Sequence, residues 1–144
     1  MARYQAVIET PLSPAAAFAF MRDVTNFATW DPGVVRAVKV AGEGFGLGAA
    51  YDLTVKAGTT TVMRYEVAHY DEPRHLRLVS TTRRVTSVDD IYVEATAQGA
   101  RVTYAADLRL NGWLNAFDAV LALAFRRIGD RAAAGLRIAL THAT

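Results

Sequence analysis

The stretch from Asn111 onward limits what this chain can become more than any other. Leu114, Phe117, Leu121, Phe125, Ile128, Ala132, Leu136 and Ala139 recur at spacings of three and four, the mark of one apolar helical face. Arg126, Asp130 and Arg137 fall on the opposite side, so the expected helix is amphipathic rather than buried all round. About 28 helical residues would make a rod roughly 42 Å long at about 1.5 Å per residue. Such a rod needs an equally long apolar surface to lie on.

The upstream sequence supplies that surface as strands. Arg3 to Thr10 alternates Tyr4, Ala6 and Ile8 against Gln5, Val7 and Glu9, a period of two. Ser13-Pro14 predicts a helix start, with a hydroxyl N-cap and then proline at the first helical position. Ala17, Phe18 and Met21 give that helix a face to bury, and Asp23 is placed to cap a second short helix bearing Val24, Phe27 and Trp30. Asp31-Pro32-Gly33 ends it. Strand patterns then cover Val34 to Ala41, Ala50 to Ala57, Thr61 to Tyr70, the run through Leu76, Leu78, Ser80 and Thr82, Thr86 to Thr96, and Arg101 to Leu110. A two-residue turn at Gln98-Gly99 would pair Val93 with Tyr104 and Ile91 with Ala106, setting Asp89 on the face of Leu108. The expectation is one α+β domain over residues 1–144. Its seven antiparallel strands curl, two short helices follow the first, and the long helix covers the concave face.

Composition removes several function classes. With 144 residues, 52% hydrophobic and 21% charged, the chain can bury a sizeable core. The net charge is only +2. Arg83-Arg84 and the group Arg126, Arg127 and Arg131 read as solvated faces with local ion pairs such as Arg126–Asp130. They lack the interleaved aromatics of a nucleic-acid surface, so no nucleic-acid partner is expected. There is no cysteine, which excludes disulfides, thiol nucleophiles and thiolate metal sites. The longest apolar run, Ala119 to Phe125, falls far short of the roughly 20 residues of a membrane span, so no stable membrane insertion is expected. The start has no apolar signal core, and a cytoplasmic location is expected. Lys39 and Lys56 are the only lysines, an arginine bias that fits a GC-rich bacterial genome. His69, His75 and His142 lack ligand spacing, so neither metal nor cofactor is expected, and no serine sits in a Gly-x-Ser-x-Gly turn. Gly42, Gly44, Gly46 and Gly48 lack the Lys-Ser/Thr of a phosphate loop, and predict a flexible hairpin loop bordering a cavity mouth.

Strand parity selects the inward residues: Tyr51, Leu53, Met63, Tyr65, Leu78, Ser80, Asp89, Ile91, Val93, Tyr104, Ala106 and Leu108. Inward phenols need partners for their hydroxyls, and small residues lie among them. A partly hollow interior is therefore expected, walled by this set together with Trp30, Phe117, Leu121 and Phe125. A filled core with its tyrosines satisfied at the edges is the alternative. His69 shares the inward parity of Tyr65. Of the adjacent Asp89 and Asp90, a regular strand sends one inward, where burial would raise its pKa. Asp89 and Tyr65 are thus the general acid/base candidates, against a reading in which Asp89 sits at the mouth paired with an arginine. Arg131, at the edge of the helix's apolar stripe, could anchor a polar ligand group or drape over the core.

The order of elements resembles the helix-grip fold of the START-like superfamily, and more closely its polyketide cyclase/dehydrase and lipid-transport (SRPBCC) family. The resemblance rests on Ile8-Glu9-Thr10-Pro11, Asp23, Trp30-Asp31-Pro32-Gly33-Val34 and Gly44-Phe45-Gly46-Leu47-Gly48. It continues through Tyr70-Asp71-Glu72-Pro73-Arg74, Gly99-Ala100-Arg101-Val102-Thr103-Tyr104 and Phe125 to Arg131. It implies a small hydrophobic ligand (lipid, polyketide or isoprenoid-like) bound between sheet and helix by a monomer or weak homodimer. Two alternatives accompany it: a cyclase or dehydratase using acid/base chemistry in the same cavity, and a regulatory or interaction protein whose cavity is vestigial.

Overall fold

Alternating strands and the helical stripe assemble as one sheet and one long helix in the computed structural model. It describes residues 2–57 and 59–142, leaving aside the side chains at positions 57, 113, 115 and 117–119. β1 (Ala2–Thr10) is followed by α1 (Pro14–Arg22), a 3₁₀ turn (Val24–Asn26) and α2 (Phe27–Trp30). Then come β2 (Val34–Ala41), β3 (Ala50–Ala57), β4 (Thr59–Asp71), β5 (His75–Thr81), β6 (Val85–Thr96) and β7 (Gly99–Leu110). A second 3₁₀ turn (Gly112–Phe117) leads into α3 (Asp118–His142). The seven strands form one antiparallel sheet in the order β1-β7-β6-β5-β4-β3-β2.

Local chemistry fixes the helix starts. Ser13 Oγ accepts from the Ala16 amide at 3.1 Å, with Pro14 opening α1. Asp23 Oδ1 accepts from the Thr25 amide at 3.2 Å and caps the 3₁₀ turn. Phe18 and Met21 of α1 are fully buried. The edge of the Phe18 ring meets Tyr70, with centroids 5.4 Å apart.

Two details of register depart from the sequence reading. The β6–β7 turn is Ala97-Gln98, with Thr96 opposite Gly99, so Ile91 faces Tyr104 and Asp89 faces Ala106. Gly99 is fixed there because a Cβ would lie 2.3 Å from the Thr10 carbonyl oxygen, and its φ is +152°. The slip is two residues, so every side chain keeps its face. In β4 a bulge between Val67 and His69 breaks the alternation. His69 therefore points outward and is exposed, its ring 4.6 Å from that of His75, while Tyr70 takes the inward place.

α3 lies along β1 and against α2 and is 25 residues long, about 38 Å. Two glycines permit the approach. A Cβ on Gly135 would lie 1.8 Å from the Trp30 carbonyl oxygen, and one on Gly129 would lie 2.5 Å from the Tyr4 ring. Thr10 Oγ1 donates to the Leu140 carbonyl at 2.8 Å, tying the last turn of α3 to the end of β1. Leu136 and Leu140 are fully buried, and Ala132 and Ala139 pack against the core. Asp130 accepts from Tyr4 Oη at 2.7 Å and forms no ion pair with Arg126, contrary to the helical-pair expectation. No described helix is long and apolar enough to cross a membrane.

Candidate functional site

Leaning α3 on β1 and α2 leaves its other side standing off the middle of the sheet. The gap is a cavity of about 310 Å³ with an overwhelmingly apolar wall. Of the residues expected there, Trp30, Leu53, Met63, Tyr65, Asp89, Tyr104, Ala106, Leu108, Leu121 and Phe125 line it. Tyr51, Leu78, Ile91 and Val93 do not: they are buried in the solid core, where the sheet is filled rather than hollow. Parity puts a residue on the inner face but does not say where along the strand that face is packed. Ser80 is also buried outside the wall, its hydroxyl without a hydrogen-bond partner among the described residues. The Phe117 side chain lies outside those described. Arg131 is exposed and does not reach the wall.

The structure adds residues that sequence reasoning left out. Tyr4 and Ala6 line the cavity from β1, and Ser87 from β6. Tyr4 and Ala6 belong to the face of the first strand that also carries Ile8, and Ser87 shares the inward parity of Asp89, so the signal was present. Phe27, Asp31 and Gly33 enter from α2 and the turn after it, a placement that only tertiary packing decides. The glycine loop is absent from the wall. Phe45 at its tip instead stacks under the Arg22 guanidinium at 4.6 Å, at the opposite end of the sheet from the cavity's exposed residues.

One polar string crosses this apolar interior. Tyr65 Oη donates to Ser87 Oγ at 3.1 Å, and Ser87 Oγ donates to Asp89 Oδ1 at 3.0 Å. Tyr104 Oη donates to Asp89 Oδ2. The small Ser80 on β5, paired with Ser87, leaves room for Tyr65 to reach from β4 to β6. Asp89 is thus the acceptor at which both branches end. Burial pushes its carboxyl up to about 6, against the Tyr104 and Ser87 hydrogen bonds that favour the ionised form; the charges of Asp31 and Asp90 add to the rise. Burial, and then the Asp89 charge, also raise the Tyr65 and Tyr104 phenols above their usual range. Asp31 is likewise raised by burial, although its carboxylate accepts the Gly33 amide at 2.8 Å. Beside the string, Trp30, Phe27 and Tyr104 form an aromatic corner, with Trp30 and Phe27 centroids 4.7 Å apart and Trp30 and Tyr104 5.8 Å apart.

Asp90, one residue on, meets the opposite fate. Burial works against its ionisation, but hydrogen bonds from Arg77 at 2.8 Å and His75 at 2.7 Å outweigh it and hold the carboxyl below its usual range. The expected alternatives for the pair resolve cleanly: Asp89 is inside, without an arginine, and Asp90 is the one that is ion-paired. Chemically, the string offers phenol and carboxylate oxygens to a ligand hydroxyl, and a carboxyl able to exchange a proton close to neutral pH. Among the described residues no group of three or more His, Asp or Glu is placed to hold a metal ion.

A curved antiparallel sheet gripping a long C-terminal helix over an apolar cavity defines a helix-grip, START-like protein. The chain belongs to the polyketide cyclase / dehydrase and lipid transport family, whose model matches residues 1–141. Among solved structures it is similar to a START superfamily protein from Mycobacterium smegmatis, at 11% identity and TM-score 0.79 over 96% of each chain. It is also similar to the Zhui aromatase/cyclase from Streptomyces sp. R1128, at 12% identity and TM-score 0.75, covering 96% of this chain and 90% of that one. A third, TTHA0849 from Thermus thermophilus, has 15% identity and TM-score 0.76, covering 96% and 95%. At these identities the likeness is one of fold. No curated protein sequence gives a significant match. Family membership implies hydrophobic-ligand binding or a cyclase role.

Proposed function

We propose that the chain, acting as a single domain, binds and carries a small, mostly apolar molecule with one polar group. Its apolar body lies between α3 and the sheet, and its polar group meets Asp89, Tyr65 and Tyr104. The observation that carries this reading is the 310 Å³ cavity, whose wall is overwhelmingly apolar and holds one buried hydrogen-bonded string. That volume lies at the lower bound of the roughly 300–1,000 Å³ usual for small-molecule sites. A carrier needs shape and apolar area above all, so losing one polar group should change affinity by about 0.5–1.5 kcal/mol. Native protein, extracted and analysed by mass spectrometry, is expected to release a copurified apolar molecule. Thermal shift with an apolar ligand series is expected to persist in Tyr65→Phe and Asp89→Asn. A wild-type protein that no member of the series stabilises would overturn the reading.

One observation favours a second reading, acid/base catalysis on a poly-keto substrate. Asp89 is an enclosed carboxyl raised to about 6, hydrogen-bonded to one phenol and linked through Ser87 to another. A general acid or base typically contributes about 100- to 10,000-fold in rate. Turnover of a poly-keto mimic by wild type that collapses in Asp89→Asn, with thermal shift retained, would establish this reading over the first.

A further inference from the structure

The cations of this chain differ between the two ends of the sheet. At one end lie the β2–β3 loop, the β4–β5 turn and the β6–β7 turn, and the arginines near them are paired. Arg22 meets Glu72 at 2.7 Å, Arg74 meets Asp71 at 3.1 Å, and Arg101 meets Glu9 at 2.6 Å and Glu94 at 3.1 Å. The antiparallel topology places the β3–β4 connection, the β5–β6 turn, the end of β7 and the start of α3 together at the other end. There Arg3 is paired with Asp107 at 3.0 Å, but Lys56, Arg83, Arg84, Arg109, Arg126 and Arg127 are exposed, and none of these six joins an ion pair among the described residues. Positions 55–62 and 81–86 contain no acid, and Asp118 is the only one across 108–129.

The same end exposes large apolar side chains and opens the cavity. Val62 is 58% exposed, Val120 68% and Leu123 74%. On α3, Val120, Leu123 and Arg127 follow at i, i+3 and i+7 and share one face, away from the cavity-lining Leu121 and Phe125. The exposed lining residues Lys56 and Thr61 lie at this end too, whereas buried Ile8, Val102 and Leu140 belong to the solid core. Scattered exposed apolar residues are ordinary. An apolar helix face flanked by unpaired arginines, at the mouth of an apolar cavity, fits a surface that is both acidic and oily.

We propose that this end docks on an anionic lipid bilayer, with Val120 and Leu123 entering the headgroup–acyl boundary and the six cations lying over acidic headgroups. The cavity mouth then faces lipid, so an apolar ligand passes between membrane and cavity without crossing water. The proposal rests on the carrier reading for its purpose but not for its test. Charge complementarity selects a bilayer over a shaped protein partner, because the cations sit on several separate segments and flexible stems rather than around a fitted pocket.

The test is co-sedimentation with vesicles of phosphatidylcholine containing about 30 mol % phosphatidylglycerol, against pure phosphatidylcholine. Cavity uptake of N-phenyl-1-naphthylamine is measured on the same proteins without vesicles. Wild type should bind the anionic vesicles only. Arg126→Gln with Arg127→Gln should lower the partition coefficient about 25-fold, and Val120→Ser with Leu123→Ser at least about tenfold. Lys56→Gln with Arg84→Gln, on different segments, gives an independent reading should a helix variant fail to fold. Arg101→Gln, at the far end, should change nothing, and naphthylamine uptake should survive the helix-face changes. A wild type that takes up naphthylamine but ignores anionic vesicles, or binds neutral ones equally, overturns docking. Vesicle binding indifferent to Val120 and Leu123 but abolished by about 0.5 M salt overturns the bilayer in favour of a purely ionic partner such as an acidic protein. Vesicle binding without naphthylamine uptake supports docking and removes the carrier reading instead.

Discussion

Asp89 and Asp90 are adjacent, chemically identical and opposite in consequence. Asp90 gains its partners only when ionised, so its depressed pKa contributes stability above the usual carboxylate range that is lost as pH falls through its folded value. Asp89 works the other way. Its raised pKa favours the folded state below about pH 4, and that contribution is lost as pH rises through about 6. Asp89→Asn keeps the shape and an acceptor for Tyr104 without the buried charge. The variant should therefore gain on wild type between about pH 4 and 6, reaching on the order of 3 kcal/mol above pH 7, with no pH-dependent gain below pH 4. Urea midpoints across that range read the difference, and a constant offset at every pH would contradict the assignment. The inward placement of Asp89 was legible because parity survives a two-residue slip. Its hydrogen bond from Tyr104 was not, since neighbours across strands depend on the true register, whereas Ser87 shares its strand and face two residues away.

Among the elements, α3 carries the sharpest expectations. Leu136 is 1% exposed and Arg137 faces solvent, so Leu136→Ala should cost about 2–5 kcal/mol and Arg137→Ala less than about 0.5 kcal/mol. Leu121 is only half-buried beside the cavity, and its truncation should cost less than that of Leu136. Gly135→Ala offers about 1 kcal/mol of helix propensity yet drives a methyl into the Trp30 carbonyl, so a net loss of at least about 2 kcal/mol is expected in thermal melts. Gly44→Ala, with open space around it, should be nearly neutral. The helix's apolar stripe was plain from its period alone. Its line of contact was not, because glycines at 129 and 135 mark close approach only once Tyr4 and Trp30 are in place. The bulge at Val67/His69 was equally hidden: an alternating pattern with one extra residue still reads as a strand.

At the scale of the whole molecule, element order was enough to give the sheet, the grip of the helix and a hollow between them. How far that hollow extends was not, because Tyr51, Leu78, Ile91 and Val93 share their parity with wall residues and differ only in what packs on them. A plug tests the hollow directly. Leu121→Trp at the half-buried wall should leave the melting temperature within a few degrees while cutting uptake of an apolar fluorophore at least about tenfold. Equal uptake by plugged and wild-type protein would place the binding elsewhere. The polar string has a further consequence, for assembly rather than binding. Hydrophobic alternation cannot tell the observed β6–β7 register from one slipped by two residues, since both bury the same side chains. In the slipped sheet Asp89 would face Leu108 and lose the Tyr104 hydroxyl, leaving the buried carboxyl with Ser87 as its one remaining donor of the two, an error costing about 1–3 kcal/mol. The Tyr104–Asp89 bond thus proofreads the hairpin, disfavouring a misalignment that oil-and-water sorting would pass.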